Sequence, residues 1–236
     1  MSEITSPHNE ALKEVRKLAG RRWRDKLGEF VAEGEDLLAA ADAAGWHASA
    51  RYAATGSGLD GVPVAPHVLA TVSQLGSGTR ALGVYPQRWS NAVGPRCVAL
   101  WGVNDPGNVG TVIRSALAFG ASSVALGPGS ADPYGHKAVR ASMGALFSVP
   151  VARVRAVEQL PGRRVALAAR AGAPLHELGG DGELTLVVGA EREGLSEDVL
   201  AACDDVAHIP IAHADSLNAA MAATVALYEL TRITRP

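Results

Sequence analysis

Aromatic side chains are scarce in this sequence, at 5% of 236 residues, and cysteines are scarcer still, with two. Cys97 and Cys203 stand alone, with no neighbouring Cys or His at zinc-ligand spacing, which argues against a disulfide scaffold and against a metal centre. They are expected as free buried thiols in a reducing, cytoplasmic compartment. Excess charge of either sign is also missing: 22 Lys and Arg against 24 Asp and Glu leave a formal net charge of −2. No global basicity advertises nucleic acid, so any such surface must be local. No apolar run reaches membrane length and the N-terminus is polar, so neither insertion in a membrane nor secretion is expected. What remains is 47% hydrophobic and 19% charged, the balance of a globular α/β protein, long enough for one large domain or two small ones.

Residues 10–26, EALKEVRKLAGRRWRDK, carry seven basic residues. Leu12, Val15 and Leu18 make a modest helical stripe, while Arg21, Arg22 and Arg24 flank Trp23. Such a run reads equally as a solvated helix face or as a surface that tracks RNA phosphates. Short strands are expected at Phe30–Glu35, Ala48–Ala54, Val62–Ala65 and Arg80–Tyr85, with helices at Asp36–Ala44 and Val68–Leu75. This is a small α/β module. Inside it, Gly56, Gly58 and Gly61 spell G-x-G-x-x-G, but the following Val62-Pro63-Val64 is extended where a dinucleotide site needs a helix. Residues Pro86–Pro95, PQRWSNAVGP, read as a linker.

From Arg96 strands and helices alternate, which predicts a mostly parallel sheet. Strands are expected at Cys97–Val103, Ser122–Leu126, Val149–Val154, Arg164–Ala169, Leu184–Gly189 and Val206–Ile211. Helices fall at Val109–Phe119, Gly135–Phe147 and Ser196–Cys203. The last segment, IPIAHADSLNAAMAATVALYE over Ile209–Glu229, runs from a strand through a polar loop into a helix capped by Asp215 or Ser216. Leu217, Met221, Val225 and Tyr228 recur at helical steps and are expected to face the core, amid closely spaced alanines. Ser216 and Asn218 sit where an apolar strand meets an apolar helix, and a loop at the carboxyl end of a strand is where open α/β sheets bind ligands. Two further loops share that placement. NDPGNVGTVIR, Asn104–Arg114, holds Asn108, Gly110 and Arg114; GAEREG, Gly189–Gly194, holds Glu191 after an apolar strand whose closing glycine would let a flat ligand lie on the backbone.

Taken together with HKAVRASMGALFSVP, His136–Pro150, these three stretches resemble the signature motifs of the SpoU/TrmH family of SPOUT-class RNA 2′-O-ribose methyltransferases. The resemblance runs over about Leu100–Glu229, with Ala190 standing where an Asn is frequent and His213 where a Gly is common. The stretch LAGRRWRDKLGEFVAEGEDLL is similar to the opening of the ribosomal-protein-like RNA-binding module that many members carry, which moves the basic run towards an RNA surface.

The resemblance implies an N-terminal RNA substrate-binding domain over residues 1–88 and a methyltransferase domain over 95–236 with a deep trefoil knot. Periodicity reveals no knot, and general topology rules argue against one. It implies S-adenosylmethionine as cofactor, held by Ala168 or Ala169, Gly189, Ile209, Ile211, Leu217 and Asn218, and no metal. Arg114, Asn108, Glu191, Ser216 and Asn218 form the implied catalytic set, and Arg21, Arg22, Arg24, Lys26 and Arg140 the implied RNA contacts. A guanidinium with a pKa above about 12 is a poor base, so Arg114 is better read as contacting the hydroxyl or phosphate and stabilising a developing alkoxide. The implied protein is a homodimer that methylates ribosomal RNA, favoured over transfer RNA because of the N-terminal module. A catalytically silent RNA-binding or ribosome-assembly factor is the competing reading.

Overall fold

The computed structural model describes residues 2–74, 78–179, 182–213 and 215–233. Residues 10–86 form helices α1 (Glu10–Lys17) and α2 (Arg21–Leu27), strand β1 (Glu29–Glu33), helix α3 (Glu35–Ala43), strands β2 (Ala50–Ala54) and β3 (Val62–Val64), helix α4 (Pro66–Leu69) and strand β4 (Ala81–Pro86). The four strands make one sheet in the order β1-β4-β2-β3. Helix α4 is shorter than the expected Val68–Leu75, and Leu75 lies outside the described residues. Gly56, Gly58 and Gly61 all have positive φ and shape a loop between β2 and β3.

Residues 89–233 form β5 (Trp89–Ser90), β6 (Arg96–Trp101), α5 (Pro106–Ala118), β7 (Ser123–Leu126), α6 (His136–Ala141), β8 (Val151–Arg153), β9 (Arg163–Leu167), β10 (Ala173–Pro174), β11 (Leu184–Gly189), α7 (Glu197–Ala201), β12 (Asp205–His208) and α8 (Ala219–Ile233). The eight strands pair in the order β10-β12-β9-β11-β6-β7-β8-β5, and every pair is parallel. All carboxyl ends therefore lie along one edge. Strand β11 is buried throughout and β6 over its central residues, as expected when helices cover both faces of a parallel sheet. No helix of the described residues is long and apolar enough to cross a membrane.

Four expectations need correction. The stretch Pro86–Pro95 is not a free linker: Trp89 and Ser90 pair with Val151 and Ala152 as the outermost strand, because their backbone completes an otherwise open edge. The expected helix Gly135–Phe147 breaks after Ala141. Met143 and Gly144 both take positive φ there, and a Cβ on Gly144 would stand 2.5 Å from that of Ala40, so packing of α3 forces the turn. Helix α8 turns the other way from the predicted stripe. It buries Ala219, Ala220, Ala223, Ala226, Leu227 and Leu230, whereas Met221, Val225 and Tyr228 are exposed. Packed against α5 and β11, the buried face is made of alanines over Ala219–Ala226 and of Leu227 and Leu230 beyond them; Ser115 and Thr224 share a hydrogen bond of 2.7 Å across the α5–α8 contact. Finally, Cys97 is buried but Cys203 only partly so.

The scarce aromatics are concentrated where the two sheets meet. Phe30 lies 6.1 Å from Trp46, 6.0 Å from Tyr85, 4.8 Å from Tyr134 and 6.1 Å from Phe147. The first three of these five rings come from the N-terminal residues and the last two from the C-terminal ones, so one apolar cluster serves both. Beside it Arg24, expected on the RNA surface, is buried. Its Nε donates to Asp132 Oδ2 at 2.9 Å, and its Nη1 donates to the Leu18 and Ala19 carbonyls at 2.8 and 2.7 Å. Side chains 8% and 6% exposed make this a desolvated pair joining α2 to the loop after β7. Arg24 is thereby withdrawn from the RNA contacts: its donors are consumed inside the protein.

Removing one partner of such a pair leaves a buried charge uncompensated. Asp132→Ala is expected to lose about 3–5 kcal/mol of stability in urea unfolding, with Arg24→Met/Asp132→Leu recovering much of it. Equal stability of Asp132→Ala and the parent would contradict this account.

Candidate functional site

Where β9, β11 and β12 end, the chain encloses a cavity of about 440 Å³. Its walls come from three exits: Leu167–Ala169 after β9, Val188–Leu195 after β11, and Ile209 to Ala219 after β12, where Ile209, Ile211, Asp215, Ser216, Leu217 and Ala219 contribute. Ala168, Ala169, Gly189, Ile209, Ile211 and Leu217, named from the sequence for one ligand, are thus brought together. Ala, Ile, Leu and Val supply apolar walls, and the strand ends and loops supply backbone N–H and C=O groups, the composition of a site for a flat, partly polar small molecule.

Gly189 serves this arrangement differently from the expectation. A Cβ there would come within 2.6 Å of the Gly194 carbonyl oxygen and 2.7 Å of the Leu195 nitrogen. The backbone that needs the space is the protein's own. Ala190 and Gly194 close the loop, with the Gly194 N–H donating to the Ala190 carbonyl at 2.9 Å. Gly110 has a similar reason: a Cβ would meet that of Ala141 at 2.7 Å, so α5 and α6 cross in close contact.

Three side chains from the three separate motifs meet at the edge of this cavity. Asn218 Nδ2 donates to Glu191 Oε1 at 2.7 Å and to Asn108 Oδ1 at 3.3 Å. Asn108 Nδ2 donates to the same Glu191 oxygen. Asn218 Oδ1 accepts from Ala220 N–H at 2.9 Å and Met221 N–H at 3.2 Å, which makes Asn218 the cap of α8 in place of Asp215 or Ser216. Asp105 caps α5, accepting from Asn108 N–H at 2.9 Å. Asp215 instead pairs with Arg170 at 2.6 Å, both largely in solvent, a contact of small energetic weight. Ser216 is exposed and lines the cavity.

Arg114 does not line the cavity. It is exposed on α5, with no hydrogen bond or ion pair among the described residues, and Leu117 on the same helix and Met221, Val225 and Tyr228 on α8 are also exposed. Arg21, Arg22 and Lys26 are exposed on α2, where Lys17 and Lys26 each lie 5.1 Å from the Trp23 ring centroid, and Arg140 is exposed on α6. Sequence reasoning missed Leu195, Leu200 and Ala222 as cavity walls. Ala222 stands one helical step from Ala219 and could have been found by that spacing. Leu195 and Leu200 carry no local signal, because only the folding back of the 190–194 loop brings them in.

Comparison with known proteins agrees on one family. A family model described as the SpoU rRNA Methylase family matches residues 95–228. A "23S rRNA (guanosine(2553)-2′-O)-methyltransferase RlmP" of Bacillus subtilis is 28% identical, over 98% of this chain and 99% of its own. The crystal structure of an AdoMet-bound rRNA methyltransferase from Sinorhizobium meliloti superposes with a TM-score of 0.90 at 30% identity, covering 100% of this chain and 99% of that one. A structure titled for 2-OH methylation of C/U34 on tRNA, at 32% identity and a TM-score of 0.52, covers only 59% of this chain.

Asn218→Ala removes a helix cap and two of the three links of the cluster at once. It is expected to cost about 1–3 kcal/mol in denaturant unfolding, and Asn108→Ala, which caps nothing, less. Similar losses for the two would show that the cap does not matter.

Proposed function

The chain belongs to the SpoU rRNA methylase family, and from that premise we propose that it is an RNA (ribose-2′-O-)-methyltransferase that uses S-adenosylmethionine to methylate 23S ribosomal RNA. The observation that carries this reading is the Asn108–Glu191–Asn218 cluster at the lip of the 440 Å³ cavity, which unites three motifs at one point. Ribosomal RNA is favoured over transfer RNA because two rRNA-methylating relatives align over essentially the whole chain, whereas the tRNA-related structure covers 59% of it. The cytoplasm, where ribosomal RNA is made available, is the compartment this implies.

The cavity suits the cofactor. Its volume lies within the roughly 300–1,000 Å³ of ordinary ligand sites, and its apolar walls with a rim of backbone polar groups fit an adenosine and a short amino-acid chain. Ala168, Ala169, Gly189, Ile209, Ile211 and Leu217 would hold it, with Asn218 keeping the loop 209–218 in place; the family's trefoil knot belongs to the same reading. Bound there, S-adenosylmethionine supplies an activated methyl group. The poor partner is the ribose hydroxyl. Arg114 contacts that hydroxyl or its neighbouring phosphate and stabilises the developing alkoxide; the oxygen would take the methyl group, S-adenosylhomocysteine would leave, and the hydroxyl proton would pass to water. Glu191 fixes Asn108 and Asn218, so the α5 and α8 loops keep their register; Ser216 borders the space for the ribose.

A second copy of the chain completes the site. Exposed Leu117 on α5 and Met221, Val225 and Tyr228 on α8 support a homodimer packed through these two helices, and Arg114, exposed on α5, stands outside its own cavity. Outside the dimer, residues 1–88 present Arg21, Arg22 and Lys26 to RNA, and Arg140 adds a phosphate contact.

Arg114→Ala is expected to lower methyl incorporation into unmodified 23S rRNA at least about 100-fold while calorimetric affinity for S-adenosylmethionine stays nearly constant. Arg114→Lys should also be poor, because an ammonium lacks the planar fork. Mixing Arg114→Ala with a cavity-blocking Leu217→Trp variant should restore activity if the arginine serves the partner's site. Full activity of Arg114→Ala by itself would remove the assignment.

A further inference from the structure

A second depression opens along the same edge of the large sheet. It holds about 310 Å³ over the carboxyl ends of β7 and β8, between the loop 127–133 and helix α2, and Arg21, Arg153, Arg155 and Trp89 stand around it. The Arg153 guanidinium lies 3.9 Å above the centre of the Trp89 ring and pairs with Asp25 at 2.8 Å. Trp89 is braced edge-on by Tyr134, with ring centroids 5.0 Å apart. The stack is thus held at both ends, yet the Arg153 side chain is 47% exposed. A guanidinium plane fixed in this way presents a free face on which a base can stack.

The charge of the groove has the sign RNA requires. Asp25 is shared by Arg153 and Arg21, and the hydrogen bond from Arg153 holds its carboxyl below the usual range. Asp132, in the opposite wall, is already taken by Arg24. Arg155 has no partner for its guanidinium among the described residues. Three cations against one available anion leave an excess of positive charge beside an aromatic platform.

The groove is also tied mechanically to the cofactor site. Gly102 N–H donates to the Pro128 carbonyl at 3.0 Å, Ala131 N–H to that of Val103 at 2.9 Å, and Ser130 Oγ to that of Leu100 at 2.8 Å. The segment 100–103 leads straight into the loop that carries Asn108. In the strand order β11-β6-β7-β8, the groove lies two to three strands from β11, about 10–14 Å at the ~4.8 Å spacing of neighbouring strands.

We infer that this groove binds an unpaired nucleotide of the RNA strand being methylated, its base stacked on the Arg153–Trp89 platform and its phosphates on Arg21 and Arg155. This rests on the RNA-methyltransferase reading and adds a second anchor, in the C-terminal part of the chain itself. An acidic protein segment would use the cations but leave the fixed aromatic–guanidinium stack without a purpose.

Filter binding of an unmodified 23S rRNA transcript to the full-length protein, at several salt concentrations, tests this. Arg155→Glu touches no side-chain partner and so spares the fold; it should weaken binding about tenfold and lower the salt slope by about one. Arg153→Ala/Arg155→Ala should weaken it about 10- to 100-fold, with calorimetric affinity for S-adenosylmethionine unchanged. Arg153→Lys should keep the salt slope but lose affinity, because an ammonium does not stack as a guanidinium does. Unchanged affinity and slope in Arg155→Glu and the double variant would overturn the inference, and so would a parent protein that does not bind the transcript. Methyl incorporation is scored separately. Groove-dependent binding without any methylation by the parent protein would sink the activity assignment and leave the groove standing.

Discussion

One carboxylate holds the candidate site together. Glu191 Oε1 accepts from Asn108 on the first turn of α5 and from Asn218 at the start of α8, so three loops separated by up to 110 positions in sequence converge on a single atom. Each asparagine also bonds the other, so the three side chains close a triangle. Asn218 already uses its carbonyl oxygen to cap α8, and Asn108 faces it from a helix whose own cap is Asp105. A carboxylate accepts in several directions at once, which is why an acidic residue and not an amide sits at the centre. Of the three, Glu191 lines the cavity beside the cluster.

The all-parallel sheet is what puts those loops on one edge. With every strand running the same way, the exits of β9, β11 and β12 border the cavity, and those of β7 and β8 border the second groove. The backbone bonds between segments 100–103 and 127–131 couple the two. The cavity and the second groove are therefore bordered by neighbouring loops of a single sheet. The aromatic cluster around Phe30 and the Arg24–Asp132 pair tie the smaller sheet to it, since both join residues of the N-terminal stretch to loops of the larger one.

Much of this was legible beforehand because it depends on local chemistry. Alternating apolar strands and amphipathic helices announced the parallel sheet, and the G-x-G-x-x-G stretch was a loop because Pro63 follows it in extended backbone. Ala168, Ala169, Gly189, Ile209, Ile211 and Leu217 were named through a family resemblance, and they line one cavity. The errors share one cause: each concerned a group whose surroundings come from far along the chain. Arg24 looks like any basic residue beside a tryptophan until Asp132 is placed next to it. Trp89 looks like part of a linker until β8 supplies an edge to pair with.

Helix α8 separates the two kinds of information most clearly. Its existence and its helical period were determined by sequence alone, because backbone propensity and spacing act within a few residues. Which face it buries was decided by how it packs against α5 and β11, a contact that takes in Ala219, Ala220, Ala223, Ala226, Leu227 and Leu230 and leaves Met221, Val225 and Tyr228 outside. Hydrophobicity ranks side chains by their gain on leaving water; close packing ranks them by whether they fit. Periodicity reports the first ranking. The second requires the neighbouring elements to be in place, and only the tertiary structure provides them.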